Sequence, residues 1–159
     1  MLPASSYSGR EKERVLMNII IGSDHAGFDL KEACRSFLEG LAGYNVEDAG
    51  VHTRDSADYP DIAHKVSEAV SAGEFTRGIL ICGTGLGMSM VANRHQGVRA
   101  ALCHDLYTAR LSRAHNDANL LCMGGRVIGV GIALEMVELF LKTPFEGGRH
   151  QRRIDLFEE

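Results

Sequence analysis

Apolar residues along this chain follow two alternating rhythms. Continuous apolar runs of about five residues give way to stretches in which apolar positions recur every three or four. Asn18-Ile19-Ile20-Ile21-Gly22 is the first run and reads as a buried strand. Leu30, Ala33, Cys34, Phe37, Leu38 and Leu41 then recur at helical spacing. Tyr44 to Asp48 reads as a second strand. Ile62, Ala63, Val66, Ala69 and Val70 mark a helix, with Pro60 near its start, where no N–H is needed. Gly78 to Cys82 forms a third strand, followed by a helix over Leu86 to Asn93. Val98 to Cys103 and Asn119 to Met123 are strands four and five. Between them runs a helix to Ala114, capped by Asp105. Ala133, Met136, Val137, Phe140 and Leu141 mark another helix. Pro144 and Gly147-Gly148 interrupt the chain before a last short helix over Arg149 to Phe157.

Five short strands separated by helices predict an α/β fold: a parallel sheet with helices on both faces and right-handed crossovers. At 159 residues the chain is read as one domain, with no internal repeat or linker. Residues 1–16 read as a flexible leader without the apolar core of a signal peptide, and Met17 as an alternative start. The domain is expected over residues 17–159. No apolar run reaches membrane-span length. A net charge of -4 argues against a general nucleic-acid binder. Cys34, Cys82, Cys103 and Cys122 form no Cys-x-x-Cys pair. With this much apolar core a disulfide framework is not expected, and a reducing, cytoplasmic setting fits. Cys34, Cys103 and Cys122 read as small buried hydrophobes.

In a parallel sheet ligands sit beyond the carboxyl ends of the strands, which selects the residues just after each one. After the first strand come Asp24 and His25. Cys82 ends the third, ahead of Gly83-Thr84-Gly85-Leu86-Gly87-Met88-Ser89. Gly124-Gly125-Arg126 follow the fifth. Singly, each has an ordinary reading: Asp24 as a helix cap, His25 as a solvated loop residue, Cys82 as a strand-end core residue. Together they set acid, imidazole, thiol, amides and guanidinium on one rim. The glycine loop is not a dinucleotide fingerprint, because Met88 stands where the third glycine belongs and the loop follows the third strand. Asp105 lies near the spacing of a ribose-binding acid, a coincidence that carries little. No Gly-Lys-Ser/Thr follows, which excludes a P-loop. Two further polar clusters stand out. Arg113 to Asn119 includes His115, whose imidazole exchanges protons near neutral pH. In Gly147 to Arg153, helical spacing aligns Arg149 with Arg153, a pair suited to a phosphate.

Gly22 to Gly27, Asp58-Tyr59-Pro60-Asp61, Ile81 to Ser89, Leu111 to Asp117 and Gly147 to Arg153 resemble type B ribose-5-phosphate isomerase, in that family's order and spacing. The wider family includes allose-6-phosphate isomerase and the two subunits of galactose-6-phosphate isomerase. The resemblance implies a Rossmann-like three-layer α/β/α domain and a homodimer with two shared active sites, and leaves open whether dimers pair into a tetramer. It gives Cys82 the role of base between C1 and C2 of the opened sugar, with Thr84 contacting the sugar beside it. Backbone from Gly83 through Gly85, Gly87 and Met88 to Ser89 becomes the anion hole for the enediolate. His115 assists ring opening opposite Asp24, and Asn116 binds the sugar. His25, Arg126, Arg149 and Arg153 clamp the phosphate. In the family, His115, Asn116 and Arg126 reach the site from the neighbouring subunit.

The chemistry is consistent with the residues. Opening the ring needs an acid and base matched to neutral pH, and His115 suits that task. Cys82 must be thiolate to act, a form that a helix N-terminus favours. The developing oxyanion needs preorganised donors, which the loop amides supply. The scheme requires no cofactor and no metal, and no metal-ligand spacing is apparent. The expected activity is interconversion of D-ribose 5-phosphate and D-ribulose 5-phosphate in the pentose phosphate pathway. Rival readings are a six-carbon sugar phosphate isomerase, a Cys/His hydrolase using Cys82 and His115, and a non-catalytic sugar-phosphate-binding protein.

Overall fold

The three central strands are buried at nearly every position. β1 (Met17–Ser23), β3 (Arg77–Cys82) and β5 (Leu120–Gly124) carry the continuous apolar runs that a parallel sheet covered on both faces requires. β2 (Tyr44–Asp48) and β4 (Ala100–Leu102) form the edges. All pairings are parallel, in the order β2-β1-β3-β5-β4. The computed structural model describes residues 16–158, so the expected leader over 1–16 lies, Leu16 aside, outside the described residues.

Six helices complete the layers: α1 (Phe28–Glu39), α2 (Tyr59–Ser71), α3 (Leu86–Ala92), α4 (Leu106–Ala114), α5 (Val130–Lys142) and α6 (Arg149–Asp155). Alternation along the strands sorts the core into two halves. Ile19, Ile21, Ile79, Ile81 and Leu121 pack with residues of α1, α4 and α5. Ile20, Leu80, Leu120 and Cys122 pack with residues of α2 and α3. The chain runs outward from β1 to β2, then returns to β3 and continues the other way. Strand order therefore reverses between β1 and β3, the place where α/β sheets leave a crevice at their carboxyl ends.

Two elements depart from the apolar pattern. The strand expected over Val98 to Cys103 is confined to Ala100–Leu102. Val98 N–H instead donates to His95 O in a turn, and Arg99 N–H is taken by the Asn119 side chain at 2.8 Å. The final helix ends at Asp155 rather than Phe157, and a 3-10 turn, Leu156–Glu158, follows. Asp105 caps α4 as expected, accepting from Thr108 N–H at 2.7 Å. All four cysteines are buried and unbridged, and burial pushes the Cys34 thiol up to about 12.

A buried lysine ties α1 to the end of β2. Lys31 is wholly inaccessible, and its Nζ lies 2.6 Å from Asp48 Oδ2 and 2.8 Å from Glu32 Oε1. An ammonium at that depth is tolerated because carboxylates answer it. Removing the lysine alone leaves Asp48 without its closest cation. Lys31→Ala should lower unfolding free energy by about 3 kcal/mol in urea titration, whereas a loss below about 1 would make the pair dispensable. Arg35 first, then Lys31, holds the Glu32 carboxyl down to about 2 from its ordinary 4.5. Its stabilising contribution is complete above pH 4.5 and is lost as pH falls through about 2. Glu32→Gln should flatten the acid limb of stability against pH in that window.

Candidate active site

Backbone hydrogen bonds knit together the loops that leave β1, β3 and β5. Asp24 N–H donates to Ile81 O at 3.2 Å, Gly125 N–H to Cys82 O at 2.8 Å, and Arg126 N–H to Gly83 O at 3.1 Å. The residues expected on the carboxyl rim are brought together there. Asp24 is both buried and a cap: its Oδ1 accepts from Ala26 and Gly27 N–H at 2.9 and 3.0 Å, which leaves Oδ2 for another partner. His25 Nδ1 accepts from Ala57 N–H at 3.2 Å, so its ring proton sits on Nε2. Arg126 stands against the glycine loop, with Nη1 3.6 Å from where a Cβ on Gly83 would be.

Cys82 is the last residue of β3 and only 5% exposed. Its Sγ accepts from Gly85 N–H at 3.1 Å. Gly85 closes that turn at φ 77°, a left-handed conformation that strains any residue with a side chain. The anion-hole amides expected from Gly83 to Ser89 are narrowed by internal bonds. Ser89 N–H donates to Gly85 O, its hydroxyl to Leu86 O, and Leu86 N–H to Thr84 Oγ1. Gly87 and Met88 lie in the first turn of α3, ahead of any intrahelical carbonyl, so their N–H groups remain for a ligand. Tyr59 lies across this turn: a Cβ on Gly87 would fall 2.5 Å from its ring.

The second group lies elsewhere. His115 ends α4 just before β5, at the amino ends of the strands. Crossing β5 from Leu120 to Gly124 is about 13 Å, so His115 and Asn116 do not reach Cys82 in their own chain. The turn that carries them is clamped by two arginines. Arg113 donates to Asp117 Oδ1 and Ala118 O, and Arg99 donates to Asn116 O and Asp117 O. His115 stacks on His150, with ring centroids 4.1 Å apart. Glu146 Oε2 approaches both rings, at 3.7 Å from His115 and 3.4 Å from His150. Desolvation, then the charges of His115 and Arg149, pushes His150 below the ordinary imidazole value, and Glu146 opposes them. Arg149 and Arg153 are exposed on α6, the helix that carries His150. Arg126 stands with Cys82 in its own chain, and Arg149 and Arg153 stand with His115.

The sequence reading gave no role to Tyr59, Glu146 or His150. The signal for Tyr59 was its place in Asp58-Tyr59-Pro60-Asp61; for Glu146 and His150, it was their i,i+4 spacing beside the arginines. A concavity of about 830 Å³ borders Asn116, Arg99 and Phe157 but contains neither Cys82 nor Asp24. Two groups of potential metal donors come together in space. His64, Glu68 and His95 converge, as do His115, Glu146 and His150, and each group offers three donor atoms within 4.8 Å of one another.

Residues 19–157 match the ribose/galactose isomerase family. The chain is 44% identical over 140 residues to ribose-5-phosphate isomerase B of Escherichia coli, covering 88% of this chain and 93% of that protein. Among solved structures it resembles ribose-5-phosphate isomerase B of Clostridium thermocellum, with a TM-score of 0.86, 52% identity, and 89% and 95% of the two chains covered. It also resembles the Mycoplasma genitalium ribose-5-phosphate isomerase B with bound ribulose-5-phosphate, with a TM-score of 0.85, 45% identity, and 89% and 93% covered.

Gly85 gives the turn a direct test. A Cβ there would stand 2.9 Å from the Met123 carbonyl carbon, besides requiring the left-handed backbone. Gly85→Ala should cost at least about 1–2 kcal/mol in thermal unfolding. An unchanged melting temperature would show that the turn is not held as described.

Proposed function

The chain belongs to the ribose/galactose isomerase family, and on that premise we propose that it interconverts D-ribose 5-phosphate and D-ribulose 5-phosphate in sites shared between two copies. It is an aldose–ketose isomerase, and the proposal gives the activity to one domain over residues 17–159, of which 19–157 match the family. The observation that carries the reading is Cys82, held at the switch point of the sheet beside the first-turn amides of α3. A thiol seated there, with a buried carboxylate on the neighbouring loop, suits proton transfer next to a carbonyl.

The steps follow from the groups. Asp24 of one copy and His115 of the other open the ring by moving a proton between the ring oxygen and the C1 hydroxyl. Cys82 thiolate then takes the C2 proton, and the electron pair left on carbon forms the enediolate. Amides of Gly87 and Met88 hold the negative oxygen; one lost donor of this kind costs about 10²–10³ in rate. Cys82 returns the proton to C1 as the hydroxyl proton passes from O2 to O1, giving the ketose. Thr84 and Asn116 contact the sugar. His25 and Arg126 from one side, with Arg149 and Arg153 from the other, hold the phosphate, whose binding positions the reacting carbons.

The homodimer is supported by the division between rims. Asp24, Cys82 and Arg126 lie at the carboxyl ends of the strands, and His115, Asn116 and α6 at the amino end of β5. Large apolar side chains stand exposed on the loops and helix starts of the carboxyl rim: Leu86 after β3, Tyr107 after β4, Val127 and Val130 after β5. A second copy laid over them would bury that surface and supply the missing imidazole. Four buried, unbridged cysteines fit a reducing cytoplasm. No helix among the described residues is long and apolar enough to cross a membrane.

The test is a direct isomerisation assay with ribose 5-phosphate, allose 6-phosphate and galactose 6-phosphate. Ribose 5-phosphate should turn over fastest, and no turnover of any by folded, reduced protein would refute the reading. Cys82→Ala should abolish turnover and keep substrate binding; undiminished turnover would remove Cys82 as the base. Arg149→Ala and Arg153→Ala should each raise KM for the phosphorylated sugar far more than they change kcat.

A further inference from the structure

A cluster on the opposite side of the sheet from α1, α4 and α5 has no part in the isomerisation. His64 lies on the exposed face of α2, and Glu68 stands one turn later on that face. His95 follows α3, in the turn that leads to β4. His64 Nδ1 and His95 Nε2 face each other at 2.8 Å, with the rings at 67°. A Glu68 carboxylate oxygen joins them, all three donor atoms lying within 4.8 Å of one another. Two facing imidazole nitrogens either share one proton or direct both lone pairs at one cation.

We propose that His64, Glu68 and His95 form a surface site for a divalent transition metal of the zinc class, which staples α2 to the turn after α3. Two imidazoles and a carboxylate are the donor set that zinc takes when a water fills the fourth position. Imidazole donors select zinc, nickel, cobalt or copper over magnesium and calcium. Nitrogens bound tetrahedrally at 2.0–2.1 Å stand about 3.3 Å apart, so the two rings need to part by only about half an ångström. Backbone around His95 is already fixed. His95 N–H donates to Ala92 O, its own carbonyl accepts from Val98 N–H, and Ser71 Oγ on α2 donates to the next carbonyl, Gln96 O, at 2.7 Å. Two of the ligands therefore come from one rigid helix and the third from a turn already pinned to it. The metal would brace α3 at its carboxyl end, remote from the amides that face the enediolate. The inference stands independently of the isomerase reading.

The test is calorimetric titration of chelator-treated protein with Zn²⁺, alongside thermal unfolding with and without the ion. Wild type should bind one Zn²⁺ per chain at this site and gain melting temperature. His64→Ala and His95→Ala should each lose that equivalent and the thermal gain, and Glu68→Gln should weaken binding by about 10-fold or more. His64 and Glu68 are exposed and His95 is half-buried, so the metal-free variants should keep the wild-type circular dichroism spectrum and a cooperative thermal transition, which verifies that they are folded. Wild type and His95→Ala binding Zn²⁺ alike would place the ion at other histidines, such as His115 and His150, and overturn the proposal; so would a wild type that binds none.

Discussion

A parallel sheet puts every segment that follows a strand on one rim and every segment that precedes a strand on the other. That constraint decides what one copy of this chain can assemble. Asp24, His25, Cys82 and Arg126 follow strands and meet at the rim where strand order reverses. His115 and Asn116 precede β5 and are held to the opposite rim by the strand itself. No side-chain rotation spans that separation. The proposed isomerase site therefore needs a second copy of the chain, and a two-fold axis would make two such sites at once.

The rest of the structure makes each half rigid. On the carboxyl rim the work is done mainly by backbone: three loops exchange amide and carbonyl bonds, and Asp24 closes its own turn with one carboxylate oxygen. On the amino rim it is done by charge, as Arg113 and Arg99 hold the carbonyls of the turn that presents His115. Between them stand strands of apolar residues closed to water on both faces, which keep the rims at fixed separation. Lys31 shows the same economy away from the site, an ammonium made tolerable by Asp48 and Glu32 and used to fasten a helix to an edge strand.

Much of this was legible in the chain. Continuous apolar runs marked β1, β3 and β5 because both faces of a central strand are buried. β4 was overextended because an edge strand bonds on one side only, and a side chain, Asn119, captured the amide of Arg99. Asp24 reads in the sequence as cap or catalyst, and its two carboxylate oxygens permit both. The amide of Ser89 reads in the sequence as a free donor, but the helix takes it, a local bond that residue types do not announce. Tyr59 over Gly87 and His150 on His115 are contacts between elements distant in sequence, which no periodicity encodes. The convergence of His64 and Glu68 with His95 was hidden for the same reason, since only the packing of α2 beside α3 brings them together.

In the proposed dimer, Cys82 of one copy and His115 of the other serve one site. Subunit complementation tests it most directly. Cys82→Ala and His115→Ala proteins, each inactive alone, are unfolded together in equal amounts and refolded. Random pairing makes about half the dimers mixed, and each mixed dimer holds one site with both groups intact, so activity should recover to about a quarter of wild type. Mixtures as inactive as either parent, with mixed dimers verified by mass, would show that each site is built within a single chain.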